Sequence, residues 1–346
     1  MVLDAHGQPE PGARYRTLAR SRCKRLGLTR ERFSTVVDVV DGLLAVQAQE
    51  HAFSRWSLAQ RLASASQAAV YDALASGAIV RTHVLRPTWH YVRGEDLRWL
   101  QALTGEIVRR ASAGWYRNHG VDETFLASSR AVLERALEGG RAKTRNALRG
   151  ELTAAGLDVK GQRLAAVLID AELRALLCSG PVEGTQHTYA LVEERLSRAA
   201  PLSQGEATVE LVRRYLAGHG PATFKDLRWW SSLTLKRLRV AVEELGDEVA
   251  REVVDGTEYL WLAHDRVPDE SPGDAPQFQL LQVFDELFVG YRESRGLVDP
   301  DGEFGAILPI GFSRLMHVVL EGDRSAGRWR SDRRGKSLEI TVQAIR

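Results

Sequence analysis

Gln47 and Gln49 stand one residue apart in LLAVQAQEH (43–51), where an apolar run gives out. A buried helix has little reason to end on two amides. On a helix, residues two apart diverge onto different faces. On extended backbone they point the same way and can act together. A glutamine amide cannot serve as a general base near neutral pH. It can accept and donate hydrogen bonds, and so position a water and set carbonyl dipoles beside developing positive charge. That chemistry requires the helix to end or bend by Gln47. Glu50, next to Gln49, then points away and has no assigned role.

Other chemistry-bearing patterns are weak. RGKS (334–337) resembles the tail of a phosphate-binding loop, but Arg330 stands where the first glycine is needed, and SLEITVQAI reads as strand rather than helix. The nine histidines show no metal spacing, so no metal and no cofactor is expected. No Ser nucleophile elbow, Cys–His arrangement or dinucleotide fingerprint is found. Asp285 and Glu286 are adjacent carboxylates in apolar VFDELFVGY; on a strand they would face opposite sides, leaving at most one buried, in a structural role.

The elements that must carry the glutamines recur three times. Helix, turn and helix are followed by a Gly- or Pro-broken β pair in a copy that ends with 67–92 and in copies at 144–192 and 206–263. Leu164, Val167, Leu168, Ala171 and Leu176 form one helical stripe, and Leu235, Leu238, Val242 and Leu245 another. Thr223 and Thr234 are expected N-caps and Gly246 a helix stop. This is the winged-helix plan, in which a second helix can enter a groove and the hairpin reaches its flank. After a Pro/Asp/Gly-rich linker (264–276) the chain turns β-like. MHVVLEGDRSAGRWRS is the clearest hairpin, with a Gly-Asp turn and Arg328 and Arg330 on its return strand.

The expected fold class is α+β, mainly α. A loose tail (1–13) precedes winged helix 1 with its connecting helices (14–140), winged helix 2 (141–200) and winged helix 3 (201–264). A small β subdomain (277–346) closes the chain, and the whole forms a curved surface for nucleic acid. The 346 residues, 44% hydrophobic and 27% charged, exclude disordered and fibrous classes. Two isolated cysteines argue against a disulfide framework. No run is long and apolar enough to span a membrane, and the N-terminus has no signal-peptide core. A cytoplasmic, nucleoid-associated monomer is expected. Net charge is only +2, but basic residues gather at 14–32 and 324–336, as a phosphate-tracking face needs; the alternative is a solvated surface.

GLLAVQAQEHAFSRWSLAQRL (42–62), IVRTHVLRPTWHYV (79–92), FDELFVGYRESR (284–295) and DRSAGRWR (323–330) together resemble the winged-helix DNA glycosylases of the AlkZ and YcaQ family, in matching order over nearly the whole chain. The resemblance implies three tandem winged helices and a C-terminal β domain around a DNA channel, and excision of alkylated bases, for some members from interstrand crosslinks. It makes Gln47 and Gln49 the catalytic pair of the Gln–x–Gln branch. Amides suffice for N-glycosidic hydrolysis only when the leaving group is already good, as a cationic N7- or N3-alkylpurine is. No lysine in the motif suggests a lyase step. The expected partner is double-stranded DNA carrying such lesions. The expected DNA contacts are His51, Arg55, Arg81 and Arg86 near the motif, and Arg328, Arg330, Arg333 and Arg334 in the C-terminal hairpin. The alternative function is a non-catalytic winged-helix DNA binder or transcriptional regulator.

Overall fold

The structure, a computed structural model, describes residues 12–29, 33–64, 66–184, 186–198, 200–265, 278–299 and 317–344. Most of the expected tail, the linker beyond Asp265 and the GAILPIGF segment lie outside the described residues.

Helix α1 (Ala13–Arg25) precedes the first unit. That unit runs α2 (Val36–Leu43), β1 (Val46–Gln47), α3 (His51–Ala59), α4 (Gln67–Ser76), β2 (Ile79–His83) and β3 (Trp89–Arg93). Thr35 and Asp38 close a capping box on α2, and Ser66 caps α4. The strands form a sheet in the order β1-β3-β2. Helices α5 (Leu97–Ala111) and α6 (Ala113–Asn118) lead to the second unit. It comprises α7 (Glu123–Leu137), β4 (Lys143–Thr144), α8 (Arg145–Ala154), α9 (Arg163–Leu173), β5 (Leu177–Ser179) and β6 (Thr188–Leu191), with α10 (Val192–Arg195) after it. The third unit comprises α11 (Gln204–His219), α12 (Phe224–Ser231), α13 (Leu235–Leu245), β7 (Val249–Val254) and β8 (Thr257–Leu262). Thr223 and Thr234 cap α12 and α13 through their hydroxyls, and Gly246 ends α13, as the sequence suggested.

The C-terminal region holds β9 (Phe278–Leu281), α14 (Glu286–Val289), β10 (His317–Glu321), β11 (Arg324–Arg334) and β12 (Ser337–Ala344). Its sheet runs β12-β11-β10-β9. The β10–β11 hairpin turns at Gly322, whose φ of 60° suits glycine. The strand-like reading of FDELFVGY is corrected: Asp285 caps the short α14 by accepting from the Leu287 N–H, so the chain turns into helix there.

Two apolar cores result. The second unit has its own, built on Leu133, Leu148, Leu164, Leu168 and Tyr189. Tyr116 of α6 and Leu126, Leu133 and Leu137 of α7 belong to this core although they precede residue 141. The first unit, the third unit and the C-terminal region share the other core. Helices α2 and α11 approach there through Gly42 and Gly218, and a Cβ on Gly218 would overlap the Gly42 carbonyl oxygen. Both atoms sit on helix backbone and cannot swing aside. Gly218→Ala should therefore lower stability by about 1–3 kcal/mol, read as a lower denaturant midpoint; an unchanged midpoint would show that α2 and α11 can separate freely.

Candidate active site

Helix α2 ends four residues before Gln47 because the backbone reverses at Leu44. Leu44 has φ 61° and ψ −45°, and the Ala45 N–H donates to the Leu43 carbonyl at 2.6 Å. This is a γ-turn of the rare positive-φ kind, an unfavourable conformation for a branched residue. It is held by burial of Leu44 in the shared core. Beyond it the chain is extended: Val46 pairs with Tyr91 and Gln47 with His90. Helix α3 starts only at His51. The helix therefore ends before Gln47, as the paired-amide reading requires.

Both side chains reach the same turn. Gln47 Oε1 accepts from Thr88 Oγ1 at 3.2 Å and Arg86 Nη2 at 3.5 Å. Gln49 Oε1 accepts from the Trp89 N–H at 3.4 Å. That turn begins with a second positive-φ leucine, Leu85 at φ 65°, where the Arg86 N–H donates to the Val84 carbonyl at 2.6 Å. Two strained leucine turns thus set the two sides of the site, at about 1–3 kcal/mol each.

The backbone is clamped from both sides. The Ala48 N–H donates to the Trp89 carbonyl at 2.7 Å. The Gln47 N–H points to the outer edge of the sheet and donates to Glu286 Oε1 at 2.6 Å. Glu286 Oε2 also accepts from His219 Nε2 at 3.1 Å and Trp230 Nε1 at 3.3 Å. Burial alone would raise the Glu286 carboxyl, but the His219 hydrogen bond and the nearby Arg86 hold it down at about 2. Asp285 beside it is held by Arg61 Nη2 at 2.7 Å and Ser57 Oγ at 3.1 Å. Both carboxylates are fully buried, whereas a strand would have buried at most one. The correction follows from the helix: an N-cap and a first-turn residue can both face inward.

The family pattern of the AlkZ-like DNA glycosylases matches residues 40–346. The chain belongs to that family. It is therefore an enzyme of the DNA N-glycosylase class, not the non-catalytic regulator kept as an alternative from sequence. An "Interstrand DNA cross-link repair glycosylase" of Streptomyces sahachiroi is 25% identical over 303 residues, covering 84% of this chain and 81% of the relative. The solved structure of "Streptomyces sahachiroi DNA glycosylase AlkZ" superposes with a TM-score of 0.78 at 24% identity, covering 95% of this chain and 90% of that one. Among the described residues no helix is long and apolar enough to cross a membrane.

In this AlkZ-like chain several residues expected to meet DNA are turned into the protein. Arg81 is buried, donates to the Ala48 carbonyl at 3.0 Å and the Gln49 carbonyl at 3.4 Å, and lies 4.2 Å over the Trp89 ring. Arg86 is buried and donates to the Val289 carbonyl at 2.9 Å and to His90 Nε2 at 3.1 Å. Neither guanidinium is placed for a phosphate; both brace the motif. His51 is half-buried, and burial with Arg81 and Arg55 nearby lowers its imidazole to about 4, so it is neutral at pH 7. Arg55 is partly exposed, with its guanidinium 5.0 Å over the Tyr71 ring. The basic run of α1 is likewise tied inward: Arg14 pairs with Glu252, Arg25 with Asp265, and Arg22 is buried on Ser294 and the Tyr291 ring.

The hairpin arginines differ. Arg330, Arg333 and Arg334 are exposed on β11 and Arg328 is half-buried. The register puts Arg328, Arg330 and Arg334 on one face and Arg333 on the other. Phe53 of α3 packs on His317 at 4.3 Å, and His317 stacks on Trp329 at 4.4 Å, which joins the hairpin base to the helix after the glutamines.

Sequence reasoning missed Thr88, His90 and Glu286. The signals were present: a carboxylate in apolar surroundings, and a histidine in a strand opposite the motif. His90 is buried, and burial with Arg86 beside it takes its imidazole to about 3, so it stays neutral and accepts from Arg86.

Glu286 offers a direct test. Its folded value lies below the ordinary 4.5, so its stabilisation is complete above 4.5 and is lost as pH falls toward about 2. Glu286→Gln should cost about 3 kcal/mol at neutral pH and remove that part of the acid dependence. Urea unfolding of both proteins across this range checks it; parallel pH curves would show that the carboxylate is not charged in the folded state.

Proposed function

We propose that this glycosylase hydrolyses the N-glycosidic bond of cationic N7- or N3-alkylated purines in double-stranded DNA, with Gln47 and Gln49 acting on the reacting sugar. The observation that carries this reading is the extended QAQ segment, with both amides drawn to the 86–89 turn. As the C1′–N bond breaks, its electron pair goes to the purine, which leaves neutral, and positive charge grows on the sugar. In this reading the two amides turn their dipoles to that charge and hold the incoming water; in the resting protein Gln47 is buried and both amide oxygens accept from protein donors. Glu286, whose carboxylate accepts from the Gln47 N–H, is sealed from solvent and also hydrogen-bonded to His219 and Trp230. It is placed to shape the strand, not to activate water. Amides as the groups nearest the sugar suit leaving groups that depart readily. Lesions tied into interstrand crosslinks share that cationic leaving group, and the Streptomyces sahachiroi relative is named for their repair.

Exposed Arg330, Arg333 and Arg334, with Arg55 near the motif, are the residues left to meet phosphates in this reading. The reaction is monofunctional, ending at an abasic site.

Release of free N7-methylguanine from methylated duplex DNA tests the assignment. Gln47→Ala and Gln49→Ala should each cut the single-turnover rate by about 10²-fold or more, with DNA binding within about threefold of wild type. Full activity in both variants would remove the glutamines from the mechanism, and no release by the wild-type protein would overturn the substrate class.

A further inference from the structure

A pocket of about 330 Å³ opens between the first and second units, beside the motif. Its inner wall is aromatic: Trp89 of β3, and His187 and Tyr189 at β6. His187 and Tyr189 meet at right angles, 4.7 Å apart, and His51 stands edge-on to His187 at 6.2 Å. Asn146 and Gln186 sit exposed at its mouth. Arg81 and Arg145 complete the lining, and none of the lining residues is acidic. Two of the lining residues carry a buried nitrogen with no hydrogen-bond partner among the described residues: Nε1 of Trp89 and Nε2 of His187. Both nitrogens are covered, so they are unpartnered polar atoms in the wall of the pocket and not on its open surface.

Resting on the glycosylase reading above, we propose that this pocket receives a neutral nucleobase, the one left unpaired opposite the lesion. Aromatic walls stack a base, and amides at the mouth read its hydrogen-bonding edge. The volume fits one base. The charge of the lining decides which base. Two guanidiniums disfavour a cationic alkylpurine and favour a neutral ring with acceptors. Cytosine, the partner of an N7-alkylguanine, offers O2 and N3 as acceptors and an amino group for an amide oxygen. Burial and the neighbouring Arg81 hold the His187 imidazole well below its usual range, so it adds no charge.

The sheet geometry separates this pocket from the reacting sugar. Gln47, His90 and Thr82 share one face of the β1-β3-β2 sheet, whereas Arg81 and Trp89 lie on the other. The proposed sites for the lesion and for the opposite base thus lie on opposite faces of this sheet. Arg81 touches both, lining the pocket and donating to the carbonyls of Ala48 and Gln49.

Binding to a non-cleavable duplex tests this. The lesion is N7-methylguanine on a 2′-fluorinated sugar, placed opposite either cytosine or an abasic tetrahydrofuran. The wild-type protein is expected to bind the cytosine duplex about tenfold more tightly. The Asn146→Ala/His187→Ala variant, which removes no hydrogen bond that the structure shows for these side chains, should bind both duplexes within about twofold of each other and keep the wild-type affinity for the abasic one. Equal binding of both duplexes by the wild-type protein, or a full cytosine preference in the variant, overturns the pocket. Excision measured in parallel on the cleavable lesion keeps the two readings apart: wild-type preference for cytosine without base release supports the pocket and overturns the glycosidic reading instead.

Discussion

The hydrogen bond from the Gln47 N–H to the Glu286 carboxylate is the constraint on which the rest of the site depends. Strand β1 is two residues long and lies at a sheet edge. On one side β3 holds it; on the other its N–H would be left open, as at any sheet edge. A carboxylate 239 residues away in sequence fills that place. Glu286 is in turn fixed by His219 of α11 and Trp230 of α12 through its other oxygen, so α11, α12 and β1 meet at one carboxylate. The shared core of the first unit, the third unit and the C-terminal region then has a function: it brings Glu286 to Gln47. The close crossing of α2 and α11 at Gly42 and Gly218 belongs to the same arrangement.

Charge balance follows from this clamp. Arg86 brings a buried cation within reach of the Gln47 amide, and an unopposed cation there would repel both a cationic purine and a developing sugar cation. Glu286 supplies the opposing charge, and His90 and His51 are held neutral by burial and by the arginines beside them. The surface around Gln47 and Gln49, where the reaction is proposed to occur, is left with dipoles and little net charge. That is a weak environment for activating water and a tolerant one for a substrate that is already positive, which matches a reaction driven by its leaving group.

Much of this was legible in the sequence, for identifiable reasons. Two amides at the end of an apolar run are costly inside a helix, so QAQ by itself marks a break in the helix. Caps at Thr223 and Thr234 and the stop at Gly246 were legible because they depend on local chemistry. The device that ends α2 was not, because leucine rarely adopts positive φ and nothing in LLAV marks Leu44 as the exception. Arg81 and Arg86 misled for a related reason: arginines beside a wing read as phosphate contacts, and only tertiary packing shows their guanidiniums aimed at carbonyls. Glu286 was hidden by a wrong period. Reading DEL as strand placed its neighbours on opposite faces, whereas the Asp285 cap turned both carboxylates inward.

Amide dipoles facing positive charge at the sugar are the core of the proposed mechanism. Binding to duplexes that carry a cationic 1-azaribose, or the uncharged tetrahydrofuran of the same shape, measures that directly. The wild-type protein is expected to prefer the cationic analogue by about tenfold or more. That preference should disappear when Gln47 and Gln49 are both replaced by leucine. Equal affinity of the wild-type protein for the two analogues would contradict the paired-amide site.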